Sequence, residues 1–231
     1  MHELKKEITL FLKIGHRGAR AYEVENTIES FKKAVALGAN AIEFDVRRSG
    51  DGELIICHDD NLKRVFNIDL PVHETSLADL KKATDNRLVT LAEALQSAGK
   101  NVLKVLVELK ETGYEKKVLD AVKKAKQEER VIIISFHTEA LNVVRDLDKM
   151  IETGLIYTKF KNPVEAALKL QARYLLPLYR FTHTKDIEKA HKNDLKVIVW
   201  TINTAEEAKA YIAKGVDGIA TDRPDIFQGI A

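Results

Sequence analysis

Short runs of apolar, largely β-branched residues recur along the chain. Each is followed by a longer stretch in which apolar positions return every three or four residues. The short runs predict strands at Phe11–Gly15, Ala41–Val46, Val102–Leu109, Val131–Ser135, Thr153–Tyr157, Ala172–Leu176, Lys196–Thr201 and Gly218–Ala220. The longer stretches predict helices at Thr27–Leu37, Leu91–Ala98, Glu115–Glu128, Glu139–Leu147, Pro163–Lys169, Lys185–His191 and Ala205–Lys214, with a last one after Pro224. Asn162 before Pro163 and Thr204 ahead of Glu206 are helix-start signals, and Gly38 after Leu37 is a stop. Several strands are apolar on both faces, as strands covered on both sides must be. Eight strands alternating with helices predict an α/β fold, a closed TIM (β/α)8 barrel in preference to an open sheet.

One interval breaks the alternation. Between Val46 and Leu91 the chain has a hairpin-turn signal, Ser49-Gly50-Asp51-Gly52, then a strand-like Glu53–Cys57 and a short helical run at Leu77–Lys82. The reading is one barrel domain over residues 1–231 with a small insertion after strand 2, at roughly residues 47–90. An insertion at the end of the barrel that carries the charged residues is expected to serve function.

Composition narrows the classes. A 231-residue chain that is 45% hydrophobic can fill one barrel core. Lys and Arg nearly balance Asp and Glu, leaving a formal charge of +2, so nucleic acid is not an expected partner. Cys57 is the one cysteine, which fits a reducing compartment. The apolar Ile8–Ile14 stretch is short, contains Lys13 and runs into Gly15-His16, so it is expected to be a core strand and not an export signal. No run is long enough to cross a membrane. The expectation is a cytoplasmic protein with no stable membrane insertion and a small-molecule substrate.

The chemistry gathers at strand ends. Glu43 and Asp45 are two apart on a strand, so they share a face, with Phe44 on the other. Two carboxylates side by side call for a proton or a cation, and a hard divalent ion suits oxygen ligands. Glu108 and Lys110 repeat the spacing. Glu108 is the third candidate ligand, and Lys110 a point charge for a phosphate oxygen. His16 and His58 each follow an apolar run, and a pair of histidines can both give and take a proton. Arg17 offers a donor fork to a phosphodiester. Trp200 has two readings, barrel core or an apolar wall for the alcohol part of a substrate. Asp222 is expected to bond backbone at the rim. Glu25-Asn26-Thr27 is expected to cap the first helix, with Asn26 orienting the first loop. His2, His73, His137, His183 and His191 are read as structural, His137 being the one nearest a strand end.

At these residues the chain resembles the glycerophosphodiester phosphodiesterase family. The likeness runs through His16-Arg17-Gly18, Glu25-Asn26-Thr27, Glu43-Phe44-Asp45, His58-Asp59 with Leu62 and Arg64, and Glu108-Leu109-Lys110. It continues through Trp200-Thr201-Ile202-Asn203, Gly215-Val216-Asp217-Gly218 and Thr221-Asp222-Arg223-Pro224. Val24 stands where the family usually has proline. The resemblance implies a barrel with an insertion after strand 2. It implies Glu43, Asp45 and Glu108 on a divalent metal, Mg2+ or Ca2+ with Mn2+ as a third candidate. It implies His16 and His58 as the acid–base pair, with Arg17 and Lys110 on the phosphate. The implied reaction is metal-dependent hydrolysis to glycerol 3-phosphate and an alcohol. Two alternatives stand beside it: a lysophospholipase D acting on lyso-lipids, and a non-catalytic barrel that binds phosphate ligands.

Overall fold

The computed structural model describes residues 10–99 and 102–230. Eight parallel strands close into a ring: β1 (Leu12–Gly15), β2 (Ala41–Arg48), β4 (Lys104–Leu109), β5 (Val131–Ser135), β6 (Glu152–Tyr157), β7 (Tyr174–Pro177), β8 (Lys196–Val199) and β9 (Gly218–Thr221). Closure comes from β1, which pairs with both β2 and β9. β3 (Leu54–Ile56) lies outside the ring and runs antiparallel to β2. Helices α1 (Ile28–Ala36), α4 (Leu91–Ser97), α5 (Glu115–Lys124), α6 (Thr138–Leu147), α7 (Pro163–Lys169), α8 (Thr184–His191) and α9 (Ala205–Ala213) fall between the ring strands. This is the TIM barrel that the alternation of patterns predicts. His2 and the start of the Ile8–Ile14 run lie outside the described residues.

Strand periodicity sorts side chains into two apolar layers. Ile42, Phe44 and Val46 of β2 and Val105, Val107 and Leu109 of β4 face the helices. Ile14, Ala41, Leu106, Ile132, Ile134, Leu176, Ile198 and Ala220 fill the lumen. Glu43 and Asp45 continue the lumen face of Ala41, and Glu108 continues that of Leu106. The lumen is therefore apolar at its floor and charged at the C-terminal end of the strands.

The helix starts follow local chemistry. Thr27 accepts a hydrogen bond from Ser30 N, and Thr204 from Glu207 N. Thr90 and Glu93 form a reciprocal capping box at α4. α5 ends at Lys124, short of the expected Glu128, because Lys126 turns left-handed at φ 56°. β2 runs on to Arg48, beyond the expected Val46, because its end is also paired with β3. The segment after Pro224 is a single 3-10 turn, Pro224–Phe227, and not an α-helix.

Between β2 and β4 the chain adds α2 (Lys63–Phe66) and α3 (Leu77–Ala83) to β3. These have their own small core of Ile55, Cys57, Leu62, Val72, Leu80 and Leu88. The segment is tied at both ends: β3 pairs with β2 on entry, and Ile55 bridges Thr90 on exit.

Candidate active site

Register brings the three carboxylates together. Asp45 is the Cα partner of Glu108 across β2 and β4, and Glu43 lies one lumen-facing position below Asp45. One oxygen from each of Glu43, Asp45 and Glu108 falls within 4.8 Å of the others, and all three residues are buried. Asp45 is fully buried. Its Oδ2 accepts from Asn26 Nδ2 at 2.9 Å and lies 3.2 Å from Arg17 Nε. Lys110 Nζ donates to Glu108 Oε1 at 2.6 Å and stands 3.4 Å from Asp45 Oδ1.

The charges in this cluster are not at ease. Burial, then the neighbouring Asp45 and Glu108, pushes the Glu43 carboxyl well above the ordinary range. Burial and the charge of Asp45 push Glu108 up to about 7. Burial opposes ionisation of Asp45 too, but Arg17 and then Lys110 outweigh it and hold that carboxyl below its usual value. Glu43 Oε1 and Asp45 Oδ1 are buried with no hydrogen-bond partner. Buried acceptor oxygens without a hydrogen bond, in an all-oxygen donor set, fit a hard divalent cation.

The two histidines flank this cluster. β1 lies between β9 and β2, so the residue just past β1 meets the ends of both. His16 N donates to Thr221 O at 2.8 Å, and the ring Nδ1 lies 2.7 Å from Asp222 Oδ1. A carboxylate only accepts, so Nδ1 carries the proton and Nε2 is left free. That Nε2 lies 4.0 Å from Glu43 Oε2. His58 follows β3, and its Nδ1 lies 2.6 Å from Asp59 Oδ1, which frees its Nε2 by the same argument. Burial, with the nearby charges of Arg17 and Lys110, lowers the His58 pKa against the opposing effect of Asp45 and Asp59.

Arg17 and Gly18 make the turn between them. Gly18 has φ +81°, and a Cβ there would meet Ser30 Oγ at 2.3 Å, so only glycine fits. The turn aims Arg17 N at Glu43 Oε2, 2.8 Å away, and Arg17 Nη1 at Glu25 Oε1, 2.9 Å away. Trp200 closes the lumen from the far side. Its Nε1 donates to Leu176 O at 2.7 Å, and the ring of Phe136 meets it edge-on at 5.7 Å. Beyond it, the loops after β6 and β7 expose Phe160 and Phe181.

Of the expected residues, His16, Arg17, Glu43, Asp45, Glu108 and Lys110 stand within one contact network, and His58 sits beside it on the insertion. Asp222 is a correction: its side chain bonds the His16 ring and Asn203 Nδ2 (2.9 Å), while its backbone N donates to Asn203 Oδ1. Thr27 caps α1 as expected, but Asn26 bonds Asp45 and Glu25 bonds arginines. A signal for Asp222 existed in the sequence, because closing a barrel sets the end of its last strand beside the end of its first.

The profile of the glycerophosphoryl diester phosphodiesterase family matches residues 16–226. A glycerophosphodiester phosphodiesterase of Caldanaerobacter subterraneus is 34% identical over 93% of this chain and 95% of its own. The crystal structure of the glycerophosphodiester phosphodiesterase of Thermotoga maritima superposes with a TM-score of 0.82 at 29% identity, covering 95% of this chain and 98% of that one. A phosphodiesterase of Oleispira antarctica, solved with the product sn-glycerol-3-phosphate, gives 0.83 at 27% identity, covering 94% of each. The chain belongs to the glycerophosphoryl diester phosphodiesterase family and is, with it, a phosphoric diester hydrolase. No helix among the described residues is long and apolar enough to cross a membrane.

Proposed function

We propose that the protein hydrolyses glycerophosphodiesters to glycerol 3-phosphate and an alcohol, with a divalent metal and a two-histidine acid–base pair. One observation carries this reading. Two histidines, each with Nδ1 held by an aspartate and Nε2 free, flank a buried three-carboxylate cluster beside Arg17 and Lys110. Binding alone needs no such pair.

Glu43, Asp45 and Glu108 would hold the cation, with Mg2+, Ca2+ and Mn2+ as the candidates. When bound, such an ion neutralises phosphate charge and polarises an attacking hydroxyl or water. Arg17 and Lys110 bind the phosphate oxygens, one as a fork and one as a point charge. His16 takes the nucleophile's proton at Nε2, the nitrogen that faces the carboxylate cluster, and Asp222 stabilises the imidazolium that results. His58 enters as the imidazolium, with Nδ1–H on Asp59, gives its Nε2 proton to the departing alcohol and is left neutral. Trp200 walls the side of the lumen where the alcohol leaves.

The test is glycerophosphocholine hydrolysis by metal-stripped protein, before and after Mg2+, Mn2+ or Ca2+ is restored. Activity should vanish and return. His16→Ala and His58→Ala should each lower kcat by about a hundredfold or more. Full activity at nil metal content, or an undiminished kcat in either variant, overturns the reading.

A further inference from the structure

Arg64 stands on α2, the single-turn helix of the segment between β2 and β4, and its side chain is 45% exposed. All three guanidinium nitrogens are nevertheless bonded. Nε donates to Asp59 Oδ2 at 2.6 Å, Nη1 to Glu25 Oε2 at 2.9 Å and Nη2 to Glu25 Oε1 at 2.6 Å. Each of those carboxylates holds a second group. Asp59 Oδ1 holds His58 Nδ1, and Glu25 Oε1 accepts from Arg17 Nη1. One line of contacts thus runs His58, Asp59, Arg64, Glu25, Arg17. It joins the group assigned to protonate the leaving alcohol to a group assigned to the phosphate, and it crosses from the inserted segment to the loop after β1.

The geometry is selective. A guanidinium can place a fork on one carboxylate while its Nε serves another, and an ammonium offers no such fixed fork. The base of α2 is fixed from below, since Leu62 is fully buried in the small core that β3, α2 and α3 share. Ion pairs on a half-exposed side chain add little to stability. Glu25 is already paired with Arg17, so stability alone does not call for a second arginine spanning Glu25 and Asp59, whereas the alignment of two site residues does.

We propose that Arg64 is a positioning residue that sets the His58 ring and the reach of Arg17 together, making the inserted segment a working part of the active site. The role rests on the assignment of His58 and Arg17 to the reaction made above. Arg64 touches none of the three clustered carboxylates. It acts through Asp59 and Glu25.

The experiment measures kcat, KM and unfolding temperature on glycerophosphocholine for the metal-loaded wild type, His58→Ala, Arg64→Ala, Arg64→Lys, Asp59→Asn and the Arg64→Ala/Asp59→Asn double variant. Arg64→Ala should lose about 10–100-fold in kcat, the usual effect of removing a partner that orients a site residue. Its unfolding temperature should fall only modestly, because Arg17 still pairs with Glu25, and the variant should stay folded at the assay temperature. Added guanidinium ion should recover part of the lost kcat. The double variant should fall no more than about threefold below the slower single variant, since both changes break one line of contacts. Arg64→Lys should also be slow, and it carries the test if the alanine variant does not fold. A wild-type kcat in Arg64→Ala or Arg64→Lys, losses that multiply in the double variant, or no recovery with guanidinium overturns the role. An inactive wild type, or an undiminished His58→Ala, overturns the functional assignment itself and is seen without any Arg64 variant.

Discussion

Asp222 Oδ1 lies 2.7 Å from Nδ1 of His16, a residue 206 positions earlier in the chain. The other oxygen of Asp222 accepts from Asn203 Nδ2 at 2.9 Å. The carboxylate is thus pinned on one side by an amide nitrogen, which can only donate, and it presents its second oxygen to the imidazole. That arrangement selects one tautomer of His16.

Asp222→Asn should reverse the tautomer. Asn203 Nδ2 would claim the single oxygen of the new amide, turning its NH2 toward His16. Nδ1 would then have to accept, and the proton would move to Nε2, where the base is needed. The expected loss in kcat is about 10²–10⁴-fold, the range for general acid–base catalysis. Metal content should be unchanged. A kcat within a few fold of wild type would show that His16 does not act through a free Nε2.

Glu43→Gln should make the metal-free protein more stable. It removes one of three crowded buried carboxyls while keeping an oxygen for the backbone N–H of Arg17. Burial and the two neighbouring carboxylates hold the Glu43 carboxyl well above its ordinary range, a cost to the folded state at neutral pH that the amide does not bear. Thermal unfolding in chelator should show a higher Tm for the variant. Adding Mg2+ or Ca2+ should raise the Tm of the wild type and leave the variant where it is. An equal metal-induced rise in both proteins would remove Glu43 from the ligand set.

Glu25 makes the fold sensitive to acid. Burial acts to raise its pKa, but hydrogen bonds from Arg64 and the charge of Arg17 outweigh that and bring it from 4.5 to about 2. Its folded pKa lies below the unfolded one. The stability it confers is therefore fully present above pH 4.5 and is lost as pH falls toward 2. The amount is about 2–3 kcal/mol at neutral pH. Urea unfolding between pH 6 and pH 2.5 should show the wild type and Glu25→Gln converging as the solution becomes acidic. Parallel curves across that range would contradict the assignment.

The ring strands and most helices were legible because their signals are local. β-branched runs mark strands buried on both faces, and Thr27, Thr90 and Thr204 stand where helices begin. The carboxylate cluster was legible for the same reason, since Glu43 and Asp45 share a face by period alone and Glu108 repeats the pattern on a neighbouring strand. Contacts between distant segments carried no such mark. Nothing beside Glu25 announces Arg64, and nothing beside Asn26 announces Asp45. The left-handed stop at Lys126 lacks the glycine or asparagine that usually flags one, so α5 was expected to run four residues too long. α2 is one turn, too short for any periodicity to rise above chance.

The division of the rim between two arcs has a consequence for how such a protein can change over generations. Among the described residues, every side-chain hydrogen bond that holds His16, Arg17 and His58 comes from β2 itself or from the segments after β1, β3 and β9. The loops after β6 and β7, which carry Phe160 and Phe181, supply none of them. Those loops can therefore drift, lengthen or be exchanged without disturbing a proton donor or acceptor. On the proposed roles, inheritance of the reaction and diversification of what is accepted at the mouth fall, in this barrel, to opposite walls.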